Sequence, residues 1–149
     1  MRDTDLKKLY EIDDSQWLDS TIKLLKNSQF TDLDLENLIQ ELEDLGKEKK
    51  NAVVSLLEQV IRHLLLLQYW LNEGEYNQVH WRGEIYNFRI QLKRRLTNNL
   101  RNYLQEELNY IYQDALGFVK IKTQNLVNFP PECPYLIDQL LNIEWYPDL

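Results

Sequence analysis

All four prolines, at positions 130, 131, 134 and 147, fall within the last twenty residues, so 129 consecutive residues lack the strongest interrupter of a helix. The four glycines are scattered singly, and leucine, glutamine, glutamate and lysine, all good helix formers, are abundant. Long helices joined by short turns follow. A chain of 149 residues is long enough for one domain with a sizeable core. The expected fold is all-α: a single-domain antiparallel helical bundle over residues 1–149, with four main helices plus a short C-terminal helix.

The apolar spacing sets the elements. The first helix is expected over about residues 14–27, capped by Asp13 or Asp14, with Trp17, Leu18, Thr21, Leu24 and Leu25 on one face and Asn27-Ser28-Gln29 as its terminating turn. A second begins after Thr31 or Asp32 and runs to about Leu71. Its row is Leu35, Leu38, Ile39, Leu42, Leu45, Val53, Leu56, Val60, Leu64 and Leu67, and Gly46 is its expected kink or break. Asn72–Gln78, with Gly74, reads as the connection to a third helix over 79–97, striped by Trp81, Ile85, Phe88, Leu92 and Leu96. Thr97-Asn98-Asn99 leads into a fourth, striped by Leu100, Leu104, Leu108, Ile111, Ala115 and Phe118. Pro134 suits the first position of a short final helix, with Ile137, Leu140 and Leu141 inward and the Trp145-Tyr146-Pro147 tail docked.

Several function classes lack support. Seventeen basic against 24 acidic side chains give a net charge of -7, unlike a surface built as a whole for nucleic acid or anionic membrane. One cysteine, Cys133, permits neither an intrachain disulfide nor a thiolate cluster, and fits a reducing, cytoplasmic setting. The longest apolar run is Leu64–Leu67, far short of a membrane span, and the charged first fourteen residues do not read as a signal peptide. Serine-hydrolase elbows and phosphate loops need glycine patterns that are missing. No metal set or cofactor motif is found.

Three places could carry chemistry or binding. The stretch Asp32–Asp44 holds six carboxylates and no basic residue. Asp34 and Glu36 there suit the positive end of a helix dipole, and Glu41 shares a face with Asp34 two turns away. Arg82–Arg101 is the basic counterpart, with Arg82, Arg89 and Lys93 in a stripe beside the Trp81/Phe88/Leu92 face. That stripe can pair with the acidic stretch, meet a partner protein or contact phosphates; Tyr86 and Ile90 beside it favour protein over nucleic acid. His63 lies in the core-facing row Val53, Leu56, Val60, His63, Leu67, Trp70. It is either a satisfied core imidazole or the centre of a polar pocket with a carboxylate such as Glu84 or Glu41. His80 reads as surface.

The run Leu33-Asp34-Leu35-Glu36-Asn37-Leu38-Ile39-Gln40-Glu41-Leu42-Glu43-Asp44-Leu45-Gly46, then His63-Leu64-Leu65, Trp81 with Glu84-Ile85, and Phe129-Pro130 with Glu132-Cys133-Pro134-Tyr135, resembles the bacterial, largely cyanobacterial family catalogued as domain of unknown function twenty-nine. Leu9-Tyr10, Asp14 and Trp17 fit its opening. The resemblance implies a compact helical bundle and supplies no catalytic residue. One departure is Thr97-Asn98-Asn99-Leu100, which stands where a Ser-Pro-Ser-Leu-like segment is more usual.

Together these readings give a candidate polar pocket of Asp34, Asn37, Glu41, His63 and Glu84, and a candidate partner-binding row of Arg82, Arg89 and Lys93. The expected function is a protein-interaction module with a protein partner. The alternatives are a ligand- or metal-binding protein or enzyme centred on His63, and a nucleic-acid binder through the basic stripe.

Overall fold

A computed structural model describes the backbone of residues 3–149 and the side chains of residues 5–71 and 77–149. Among the described residues there are six α-helices and no strand: α1 (Asp3–Ile12), α2 (Asp14–Lys26), α3 (Leu35–Tyr69), α4 (Leu71–Arg95), α5 (Asn98–Lys122) and α6 (Ile137–Leu141), with a single 3-10 turn at Phe30–Asp32. They form two compact units, Met1–Glu48 and Lys49–Leu149, and each is described by itself.

The first unit contains α1, which periodicity did not reveal, α2 and the beginning of α3. Asp13 caps α2 as expected, its Oδ1 accepting the Gln16 N–H at 3.1 Å. The polar turn ends α2 in a Schellman motif. Ser28 takes φ 56, its N–H donates to Leu25 O at 3.1 Å, and Gln29 N–H donates to Leu24 O at 2.8 Å. Trp17, Leu6 and Leu33 are buried, and Tyr10 meets Trp17 edge to face at 4.9 Å.

In the second unit the core is carried by Val53, Leu57, Val60, Ile61 and Leu64–Leu67 of α3, Trp81, Ile85 and Leu92 of α4, and Leu104–Val119 of α5. The expected stripes are met in part: Leu57 rather than Leu56 is fully buried, Phe88, Leu96 and Leu100 are only partly buried, and Val119 takes the place foreseen for Phe118, which is 40% exposed. Thr97 caps α5 through its side chain, which accepts Leu100 N–H at 3.2 Å, so this junction is well formed without a proline.

Three boundaries correct the expectations. Gly46 does not break α3, since one glycine costs a helix only ~1 kcal/mol and 34 other residues propagate it. The connection expected over Asn72–Gln78 shrinks to Trp70, with φ -89 and ψ 69, and α4 starts at Leu71; the side chains of 72–76 lie outside the described residues. Pro134 is not the first residue of α6, which starts three residues later after Leu136. The proline segment is instead anchored by side chains. Tyr112 Oη donates to Pro130 O (2.6 Å), Gln113 Nε2 to Pro131 O (2.9 Å) and Tyr135 Oη to Gln68 Oε1 (2.8 Å).

Candidate functional site

The five residues of the expected polar pocket fall into two groups. Asp34, Asn37 and Glu41 belong to the first unit. Asp34, fully buried, precedes α3; its Oδ2 accepts Trp17 Nε1–H at 3.2 Å and Asn37 Nδ2–H at 2.6 Å, and its Oδ1 accepts Asn37 N–H at 3.5 Å. A carboxylate so placed answers the free N–H groups and positive dipole of a helix start, and it ties α2 to α3. Glu41, one face-repeat later, accepts the Tyr10 hydroxyl, and that bond pushes the phenol up to about 12. These are partnered, structural carboxylates.

His63 and Glu84 belong to the second unit. His63 is half-buried, at the margin of the core rather than inside it, with its ring 5.5 Å from Phe88. Its Nδ1 lies 2.7 Å from Gln59 O. A carbonyl only accepts, so Nδ1 carries the proton and Nε2 keeps its lone pair. Burial lowers the pKa below the ordinary 6.5, opposed by the Gln59 carbonyl and by Glu84, while His80 and Lys122 reinforce the lowering. Burial therefore favours the neutral imidazole.

One side of His63 opens into a cleft of about 340 Å³. From α3 come Gln59, His63 and Leu66, with Trp70 at the junction; α4 adds Asn77, His80 and Trp81, and α5 adds Phe118 and Lys122. Trp70 and Trp81 stack at 6.0 Å with 20° between planes. Sequence reasoning missed Asn77, Lys122 and the place of His80 here. The available signal was the break at Trp70: residues within about two turns on either side of it, His63 and Asn77 among them, line the cleft. Among the described residues, no three His, Cys, Asp or Glu side chains gather where a metal ion could sit. Cys133 donates to Tyr135 O at 3.4 Å, and burial raises its thiol pKa, opposite to what a nucleophile needs.

The basic row divides as well. Arg89 is 1% exposed, which corrects its place on a partner-facing surface. Its Nε, Nη1 and Nη2 donate to Leu140 O (2.8 Å), Trp145 O (2.7 Å) and Gln139 O (3.1 Å), satisfying two carbonyls of α6 and one of the tail beyond it. Burial pulls the guanidinium pKa down to about 10, well above neutrality. Arg82 lies over the Tyr146 ring at 4.4 Å, so the aromatic tail docks as expected. Lys93 remains exposed.

An apolar surface also emerges on the first unit. Asp34, just before α3, and Glu41 within it face α2 and α1 through the bonds above. The adjoining row Leu35, Ile39, Leu42 and Leu45 is 57%, 53%, 59% and 46% exposed. This row is in helical phase with Val53, Leu57 and Val60, which are fully buried. Glu36, Glu43 and Asp44 flank it, all exposed. Residues 1–48 hold 13 acidic and 6 basic side chains, so the whole net charge of -7 resides there and residues 49–149 are neutral overall.

The sequence pattern of the family described as "Domain of unknown function DUF29" matches residues 9–146. The chain belongs to this family. In this DUF29 member the match takes in α2 to α6, the acid-flanked row, the cleft and the Arg89 clamp alike. No curated protein and no solved structure matches the chain.

Proposed function

We propose that this DUF29 chain is a protein-interaction module, and that its docking element is the bare row Leu35, Ile39, Leu42 and Leu45. The observation that carries the reading is the exposure of all four leucine and isoleucine side chains, at 46–59%, on the same helical phase that forms the core farther along α3. Exposed apolar rows rimmed by charge are how helices receive other helices. The occupant is a basic amphipathic helix of another protein. Its apolar residues cover the row, and its lysines or arginines meet Glu36, Glu43 and Asp44. A second copy of the same unit would bring 13 further acidic groups against it, which disfavours self-association through this face.

In the second unit, the short turns at Trp70 and Leu96-Thr97 support an antiparallel run of α3, α4 and α5, the bundle arrangement expected from sequence, with α6 as the closing helix. Among the described residues no helix is long and apolar enough to cross a membrane, and we place the module in the cytoplasm, where its free Cys133 stays reduced.

Isothermal titration of the full chain with a designed leucine–lysine helix of about 18 residues, long enough to fold on contact, tests the proposal. Saturable binding that weakens at least about tenfold in high salt, and is lost in Ile39→Asp/Leu42→Asp, is the expected result. Binding unaffected by that double change, or a salt-insensitive dimer that the change dissolves, would overturn it.

A further inference from the structure

We propose that the cleft beside His63 is a binding site for a small planar aromatic acid whose ring carries an N–H or O–H donor. The inference stands apart from the docking row, because it concerns only α3, α4 and α5 within the second unit.

Four features define the ligand. The volume, about 340 Å³, suits a molecule of one or two fused rings. Trp70, Trp81 and Phe118 line the cleft with aromatic carbon, the two tryptophans stacked on each other and Phe118 backed by the Arg62 guanidinium at 3.9 Å, a wall suited to the edge or face of a flat ring. Among the described residues of the lining, Lys122 is the one formally charged side chain, and it lies close enough to act on His63, so it favours a ligand bearing one negative charge. His63 supplies the complementary polar contact. With Nδ1 committed to Gln59 O, its Nε2 can only accept, so it selects a ligand that donates. Among the described residues, the charged and titratable groups acting on that imidazole are Glu84 and His80 of α4 and Lys122 of α5. A cationic ligand would meet Lys122, and an aromatic without a donor would leave the Nε2 lone pair unanswered.

Three probes separate these contributions in titrations of the full chain followed by calorimetry and by the His63 ring resonances in NMR. Indole-3-carboxylate has the ring, the charge and the donor; indole-3-carboxamide lacks the charge; 1-naphthoate lacks the donor. The expected order is indole-3-carboxylate strongest, with each of the others weaker by about tenfold, the usual cost of one charge-assisted or buried hydrogen bond. Lys122→Met, an exposed position that leaves the fold intact, should remove the advantage of the carboxylate over the carboxamide. His63→Gln should remove its advantage over naphthoate, with circular dichroism confirming the fold. Failure of indole-3-carboxylate to shift the His63 resonances at millimolar concentration, or equal binding of all three probes, would overturn the proposal. So would an affinity for the carboxylate that Lys122→Met leaves unchanged.

Discussion

At the scale of single residues, burial divides side chains that sequence spacing placed together. Arg82, Arg89 and Lys93 share a helix face, and spacing reads all three as one surface row. Only the fold brings Gln139, Leu140 and Trp145, some fifty residues away in the chain, over the middle one. No periodicity encodes that contact. Arg89→Met should cost about 2–4 kcal/mol in chemical denaturation, because three carbonyls lose a charged donor at a buried site, and the tail beyond α6 should become protease-sensitive. Lys93→Met, on the exposed side, should stay within about 0.5 kcal/mol. His63 gives a pH signature. Its folded pKa lies below the unfolded value near 6.5, so below that pH the unfolded chain binds a proton that the folded chain resists. Tm should therefore fall on acidification from about pH 7 to 5 by more in the wild type than in His63→Gln, measured by calorimetry at fixed ionic strength. A steeper fall in the variant would contradict the neutral imidazole.

At the scale of helices, the apolar stripes of α3, α4 and α5 were legible because each repeats over many turns, whereas the ends were not. Spacing reads glycine as the sign of a break at Gly46 and Gly74, yet the helix is interrupted at Trp70 and continues through both glycines. Misplacing the break also hid the cleft, since Asn77 and His80 then read as loop and surface rather than as helical residues of its lining. Conversely, two helices end in left-handed residues that are not glycine. Ser28 and Gln124 both have φ 56, and after Gln124 the Asn125 N–H returns to Lys120 O at 2.8 Å. Gln124→Gly should therefore raise stability by about 0.5–1 kcal/mol, the strain of a side chain in that region. Gly46→Ala should do the same for the opposite reason: a Cβ there meets nothing within 4 Å, and alanine is the better helix former. Thermal unfolding reads both, and a lower Tm in either would contradict the local geometry.

For the molecule as a whole, sequence gave the all-helical class and the family, but its net charge concealed a segregation. The first 48 residues carry all of the -7, while the remainder balances 11 acidic against 11 basic groups. A continuous apolar row along α3 read as core throughout. Periodicity reports which residues share a face and is silent on whether another helix covers it, so the exposed half, Leu35 to Leu45, was indistinguishable from the buried half. That exposed half is where we place the partner. Hydrogen exchange of the full chain, with and without the leucine–lysine helix, tests this most directly. Slowed exchange concentrated in the amides of residues 35–46 is expected; an unchanged rate there, or slowing confined to residues 49–149, would contradict it.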